Sequence, residues 1–394
     1  NFDGRVHAAD LHLDYKTKQV QRTTADGRNI RELDFFNVFQ ELVDIVIDQH
    51  PDAFVIAGDL FDTPRPSNIV IKNTINQFNR LEEEGIPTIV QGGNHDTPQM
   101  RTTTSAFESL MEIDYKYIHF IYHGIDRVVV GDTEFIVVPH LSVADGFDPE
   151  TLRPNYKDNK YSVLVLHGVA DGSDIFKQVD ESREMPLGSH ILNMGHTYIA
   201  LGHYHKRSKV RENAWYAGSL ENGSFGPDVQ DKKGGLSVDL SKVGKGYIPE
   251  LLEVSIRKIV DFGVYDAAGK SAEVIEQEIE DMIAEKDIEG ALSRIKIINI
   301  TKNIYNTIDK HHIKDMGKQA LYFGISWVIN QMETDTGRPV KNEKIKDLVS
   351  EWRDTVAQKY SHSNASSLPS RSLVEEKGIE YLNSYQEEID ATEN

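Results

Sequence analysis

Short apolar runs that each stop at a cluster of Asp, Asn or His, in four of five cases beside a glycine, recur along the first half of this chain. Arg5-Val6-His7-Ala8-Ala9 leads into Asp10-Leu11-His12, and Ala53-Phe54-Val55-Ile56-Ala57 into Gly58-Asp59-Leu60-Phe61-Asp62. Thr88-Ile89-Val90 leads to Gly93-Asn94-His95-Asp96. Ser162-Val163-Leu164-Val165-Leu166 ends at His167-Gly168, and Tyr198-Ile199-Ala200-Leu201 at Gly202-His203-Tyr204-His205. Uninterrupted apolar runs of this length read as buried strands. Leu33, Phe36, Phe39, Val43 and Val46 fall at helical spacing between the first two, and a helix from about Asn68 to Glu84 follows the second. A β–α–β–α–β order predicts a sheet layered with helices.

Beyond that core, Arg127–Val130 and Glu134–Val138 flank Gly131-Asp132 as a hairpin, and Ala214–Ala217 and Gly235–Leu240 read as closing strands. The pattern changes near Ile256. A strand at Arg257–Val264, a helix carrying Val274, Ile275, Ile279, Met282 and Ile283, and a strand at Arg294–Ile300 form a small α+β unit. From His311 the chain reads helical, with an apolar stripe of Ile345, Leu348, Val349, Trp352 and Val356. Ser361–Ser372 is a Ser-rich linker with Pro369, and a weaker helix is expected at Leu373–Ile389. The expected domains are 1–255, 256–305 and 306–394.

The chemistry lies in the strand-end clusters. Open sheets place ligands at the carboxyl ends of their strands. In an extended segment residues i and i+2 share a face, which would pair Asp10 with His12 and His203 with His205. Glycine beside them lets backbone approach an ion closely. Asp, Asn and His without Cys suit Mn²⁺, Fe²⁺ or Zn²⁺. Asp10, His12, Asp59, Asn94, His167, His203 and His205 are too many ligands for one ion. They suit two ions roughly 3.5–4 Å apart, sharing a carboxylate and activating water for phosphoester hydrolysis. A lone strand-end His is usually structural, and Gly-Asp is a common turn. Five such clusters at successive strand ends make coincidence the weaker account. His7, His50, His123, His140, His190, His196, His311, His312 and His362 lack that context and read as structural or exposed.

Cysteine is absent, which excludes disulfides, thiolate metal sites and thiol nucleophiles. No apolar run reaches the ~18 residues of a membrane span, so a soluble protein without membrane contact is expected. Asn1-Phe2-Asp3-Gly4 does not read as a signal peptide, and it lacks Met, as a trimmed chain would. The net charge of −20 argues against a free polyanion binder. Bound cations, basic loops or a partner would have to supply positive field. Two such loops are Lys206-Arg207-Ser208-Lys209-Val210-Arg211 and the group Lys16, Lys18, Arg22, Arg28 and Arg31.

Asp-x-His, Gly-Asp-x-x-Asp, Gly-Asn-His-Asp, His-Gly and Gly-His-x-His, in this order, resemble the calcineurin-like metallophosphoesterase superfamily. Ala8–Leu13, Gly58–Thr63, Ala200–His205 and Tyr216-Ala217-Gly218-Ser219 followed by Phe225 more narrowly resemble the SbcD-type and MRE-eleven double-strand-break repair nucleases. The resemblance implies an α/β fold: a β-sandwich flanked by helices, with a small α+β capping domain and a C-terminal helical segment. It implies one metal on Asp10, His12 and His205, another on Asn94, His167 and His203, and Asp59 bridging. His95, oriented by Asp96, would protonate the leaving 3′ oxygen. The metals would most readily be Mn²⁺, with Zn²⁺, Fe²⁺ or Mg²⁺ as alternatives. The implied activity is exonuclease and endonuclease cleavage of DNA ends and hairpins. The implied assembly is two nuclease subunits in a heterotetramer with an SbcC-type SMC-like ATPase docked on the C-terminal helices. The implied location is the cytoplasm, bacterial or phage-encoded. DNA contacts are expected at Lys206, Arg207, Lys209 and Arg211. Asp62 stands where several relatives carry a phosphate-facing His, and Leu11 replaces a frequent Trp. The rival reading is a phosphodiesterase or phosphatase acting on a substrate other than DNA.

Overall fold

The computed structural model of the chain describes residues 4–98, 103–170, 186–226, 229 and 232–330. Its elements begin β1 (Arg5–Ala8), α1 (Ile30–Gln49), β2 (Ala53–Ala57), α2 (Asn68–Glu83), β3 (Thr88–Gln91), α3 (Ala106–Met111) and β4 (Ile118–Ile121). Then come β5 (Asp126–Val130), β6 (Thr133–Val138), α4 (His140–Asp145), β7 (Tyr161–His167) and the short pair β8 (Val169–Ala170) and β9 (Pro186–Leu187). α5 (Ser189–Leu192), β10 (Tyr198–Gly202), β11 (Ser208–Arg211), β12 (Ala214–Tyr216), β13 (Lys233–Val238) and β14 (Glu250–Val254) follow. The last are β15 (Ile259–Asp266), α6 (Ala272–Ala284), β16 (Leu292–Thr301), α7 (Lys302–Thr307), α8 (Lys310–Met316) and β17 (Tyr322–Asn330).

The strands make two six-stranded sheets, ordered β14-β13-β1-β2-β3-β4 and β11-β12-β10-β7-β6-β5. β1 to β4 run parallel, as do β6, β7, β10 and β12. Strand alternation explains why the sheets stack. Ala53, Val55 and Ala57 of β2 share one core with Val163 and Val165 of β7 and Ala200 of β10. Phe54 and Ile56, on the other face of β2, pack with Val38, Phe39, Leu42 and Val46 of α1 and Phe78 and Leu81 of α2. Burying a side chain such as Phe39 contributes about 1.5–3 kcal/mol. Asn29 starts α1 by accepting hydrogen bonds from the N–H groups of Arg31 and Glu32, and His50 ends it in the left-handed region. The first sheet therefore has helices on its outer face and the second sheet on its inner face.

Residues 1–263, 277–296 and 309–326 form one compact unit, which contains both large sheets. Among the described residues, 264–276, 297–308 and 327–330 belong to a second. Within the second, Ala267 N–H bonds to the Ile298 carbonyl at 3.0 Å, Asn299 donates to Asp266 at 3.0 Å, and Tyr305 and Trp327 meet edge to face.

A mixed α/β fold with a β-sandwich is what the resemblance implies; the single layered sheet read from periodicity is corrected to two. Pairing between sequentially distant strands is not written in local pattern. Helix throughout from His311 is also corrected: α8 is helical, but Tyr322–Asn330 is a strand. Its Phe323, Ile325, Trp327, Val328 and Ile329 are residue types that favour extended backbone. The Ile345–Val356 stripe, the linker at 361–372 and the helix at 373–389 lie outside the described residues.

Candidate metal centre

β1, β2 and β3 end beside the ends of β7 and β10, so loops from both sheets meet. The first two loops are tied together: Asp10 N–H bonds to the Gly58 carbonyl at 3.1 Å, His12 N–H to Asp59 at 3.0 Å and Leu13 N–H to Leu60 at 3.0 Å. Asp10, His12 and Asp59 all adopt positive φ, at 54°, 46° and 51°. Such conformations persist only where surrounding structure enforces them. This corrects the extended i, i+2 expectation. Asp10 and His12 converge through a left-handed turn, and His203 and His205 part company, the first facing Asn94 and the second His12.

Glycine is required by contact here. At Gly58 (φ +87°) a Cβ would lie 2.1 Å from His167 Nδ1, and at Gly202 it would lie 1.8 Å from the Ala57 carbonyl oxygen. Gly58→Ala is expected to lower stability by about 1–3 kcal/mol, the usual cost of overpacking. It should also displace His167. Thermal melting with and without Mn²⁺ checks this: the metal-induced rise in Tm should shrink, and a wild-type rise would contradict it.

The polar atoms fall into overlapping groups linked by Asp10 and His12. Asp10, His12 and His205 each offer a ligand atom within 4.8 Å of the others, and so do Asp10, Asp59 and His167, and His12, Asp62 and His95. His12 Nε2 faces His205 Nε2 at 3.0 Å. Asn94 Oδ1 lies 2.8 Å from His167 Nε2 and 3.2 Å from His203 Nδ1. Asp59 Oδ2 lies 3.3 Å from His167 Nε2 and 3.8 Å from His12 Nε2. Asp10 accepts the His203 N–H with both oxygens, at 2.9 and 3.0 Å.

This arrangement calls for a cation. His167 Nδ1 donates to the Ala57 carbonyl at 2.9 Å, so Nε2 of a neutral ring would aim a lone pair at two oxygens. Only a proton or a metal ion relieves that. Without metal, burial disfavours a charged His167, but the Asp59 carboxylate beside it prevails and pushes its pKa up to about 9. Burial likewise opposes ionisation of Asp59, yet the neighbouring His167, His12 and His95 hold it well below the usual carboxylate range. Burial and the charge of His167 depress His203 to about 3, which leaves it neutral and able to ligate. The buried nitrogen and oxygen donors, with no sulfur among them, fit mid-hard divalent ions.

His95 meets only His12 and Asp62 among these ligand atoms, on the exposed side. Its Nδ1 donates to the Asp62 carbonyl at 2.9 Å, and its side chain is 43% exposed. Orientation by Asp96 is therefore corrected. Asp96 is fully buried and accepts N–H bonds from Gly93 at 2.8 Å, Leu60 at 3.1 Å and Phe61 at 2.9 Å. It shapes the loops that carry Asp59 and Asn94. Burial and the Asp59 charge push its pKa up to about 7.

A cleft of about 840 Å³ opens over His95, lined also by Asp62, Arg65, Asn94, Thr97 and His140. Reading His140 as merely structural or exposed is corrected: it lines the same cleft as Asn94 and His95. It follows β6 directly after Pro139, and that strand end was the available signal. Lys233 was also missed. It is buried in β13, and Nζ donates to the His205 carbonyl at 3.0 Å and to Ser219 Oγ at 2.8 Å, which fixes the His205 loop. A lysine heading an apolar strand is its sequence signal.

The basic loops divide. Ser208–Arg211 is the edge strand β11, with Lys209 paired to Glu212 at 2.8 Å and Arg211 bonded to Asn193. Lys206 is exposed and makes no ion pair among the described residues, nor does the partly exposed Arg207. In the other group Lys16 pairs with Asp14 and Glu32, and Arg28 with Glu32. Arg31 is fully buried against Asp34 and beneath Phe35, so it cannot track a phosphate backbone.

The family model for calcineurin-like phosphoesterases matches residues 5–230. Among curated relatives, the DNA double-strand break repair protein Mre11 of Saccharolobus solfataricus is 28% identical over 248 residues, 60% of this chain and 60% of that protein. The Sulfurisphaera tokodaii protein of that name is 28% identical over 259 residues, covering 64% of this chain and 62% of the relative. The Sulfolobus acidocaldarius protein is 27% identical over 289 residues, 71% and 69% of the two chains. In the first two cases the match spans less than two thirds of the relative's length.

Proposed function

Since the chain belongs to the calcineurin-like phosphoesterase family, we propose that it is a two-metal, Mn²⁺-dependent DNA nuclease that trims or cuts DNA ends in double-strand-break repair. The observation that carries this reading is the shared carboxylate: Asp59 Oδ2 lies between His167 Nε2 and His12 Nε2, each at the head of its own ligand group. Asp10, His12 and His205 would hold one ion and Asn94, His167 and His203 the other, with Asp59 common to both. The ions would supply an activated water and screen charge on the phosphoryl group in flight. The chain's own residues do the rest. Asp10 fixes the His203 backbone. The Ala57 carbonyl fixes the His167 tautomer, so that Nε2 faces inward. His95 reaches into the cleft and protonates the departing 3′ oxygen.

The naming of the relatives as double-strand-break repair proteins supports DNA as substrate. Lys206 and Arg207, which make no ion pair among the described residues, would meet its backbone. Residues 1–255 would be the nuclease domain and residues 256–305 a DNA-binding capping domain. We further propose that residues 306–394 recruit an SMC-like ATPase, within a heterotetramer that contains two nuclease subunits. Such a partner would also supply the positive surface that a chain of net charge −20 lacks. Among the described residues no helix is long and apolar enough to cross a membrane.

A substrate panel tests the reading. With Mn²⁺, end-labelled duplex and hairpin DNA should be cut far faster than bis-p-nitrophenyl phosphate, cyclic nucleotides or a phosphopeptide. Chelation with EDTA should stop cleavage, and added Mn²⁺ should restore it. Preference for a small phosphodiester or a phosphopeptide would favour the rival phosphoesterase reading.

A further inference from the structure

Resting on the two-metal reading, we infer that Asp62 is a positioning residue. Its carboxylate sets the His12 ring for metal binding, while its main-chain carbonyl holds His95. Nδ1 of His12 is buried and makes no hydrogen bond among the described residues, and the nearby carboxylate is that of Asp62, whose Oδ1 stands 3.2 Å away. A metal-bound imidazole commonly presents its other nitrogen to a carboxylate or carbonyl, which fixes tautomer and ring orientation. His167 does so with the Ala57 carbonyl, and Asp62 provides the matching group for His12. With Nδ1 carrying the proton toward Asp62, His12 Nε2 keeps its lone pair for the side where His205 and Asp59 stand.

The same residue serves the neighbouring ring by a different atom. The Asp62 carbonyl accepts from His95 Nδ1 at 2.9 Å, and the carboxylate is 3.9 Å from that nitrogen. The rings of His12 and His95 meet edge to face, with centroids 4.7 Å apart. Asp62 is itself anchored, its N–H bonding to the Leu13 carbonyl at 2.9 Å within the first loop. Side-chain replacement at position 62 therefore removes the support of His12 and leaves the support of His95 in place. This separates metal affinity from proton donation at one residue.

The experiment is a Mn²⁺ titration of the full chain by calorimetry and electron paramagnetic resonance, on wild type, Asp62→Ala and Asp62→Asn. Hydrolysis of end-labelled duplex is then measured at limiting and saturating Mn²⁺. The wild type should bind two ions. Asp62→Ala should bind one of them about 10–100-fold more weakly, the usual cost of losing such an outer partner. Asp62→Asn, which still offers an acceptor oxygen to Nδ1–H, should lose less. Saturating Mn²⁺ should bring Asp62→Ala close to wild-type turnover. Wild-type affinity for both ions in Asp62→Ala, or a turnover deficit that excess Mn²⁺ does not correct, would overturn the inference. A wild-type chain that binds only one ion, or none, would overturn the two-metal reading and this role with it.

Discussion

Asp59→Asn is expected to abolish paired-metal binding and hydrolysis while leaving the fold intact. Asp59 Oδ1 is committed to the His95 N–H at 2.8 Å, which leaves Oδ2 as the atom facing both His167 and His12. Asparagine is isosteric, so packing survives, but the shared negative charge is lost. An amide also cannot accept from the backbone and offer an anionic oxygen to two ions at once. Loss of an outer-shell partner alone costs about 10–100-fold in metal affinity, and loss of the bridge should exceed that range. Calorimetric Mn²⁺ titration should show no tight second ion, with duplex cleavage at background and circular dichroism unchanged. Two ions bound at wild-type affinity would remove Asp59 from the bridging position.

His95→Ala should behave in the opposite way, binding metal and DNA normally but turning over slowly. The His95 side chain is absent from the Asp10–His12–His205 and Asp10–Asp59–His167 groups; it meets His12 and Asp62 instead, and its Nδ1 is occupied by the Asp62 carbonyl. Nε2 is the nitrogen left to face substrate in the cleft. Losing a general acid typically costs about 10²–10⁴-fold in rate. Single-turnover cleavage at saturating Mn²⁺ measures that loss, and metal counting on the same sample separates it from a ligand defect. A missing ion in His95→Ala would make His95 a ligand instead.

The strand-end clusters were legible because strand and cluster are contiguous in sequence. Apolar runs such as Ala53–Ala57 announce a buried strand, and Gly58-Asp59 announces what emerges from its end. What could not be read was what the clusters face across the fold. By sequence Asp96, adjacent to His95, reads as its orienting group, and nothing local points from His95 to Asp62. The choice between them depends on three backbone N–H groups from two loops, which turn Asp96 inward. Arg31 read as a surface cation because its neighbours in sequence are charged. Its partners Asp34 and Glu221 neutralise it, and packing on Phe35 permits full burial. His140 was hidden by Pro139, which separates it from the apolar run of β6. Sheet order was least legible: β10 lies between β7 and β12, a pairing set by long-range packing of alternate faces and not by any local signal.

The central claim is two ions sharing Asp59, and anomalous diffraction from a Mn²⁺-soaked crystal tests it most directly. Two peaks should appear, roughly 3.5–4 Å apart. One should lie among Asp10, His12 and His205, the other among Asn94, His167 and His203, with the Asp59 carboxylate between them. A single peak, or a pair that leaves Asp59 uncoordinated, would contradict it.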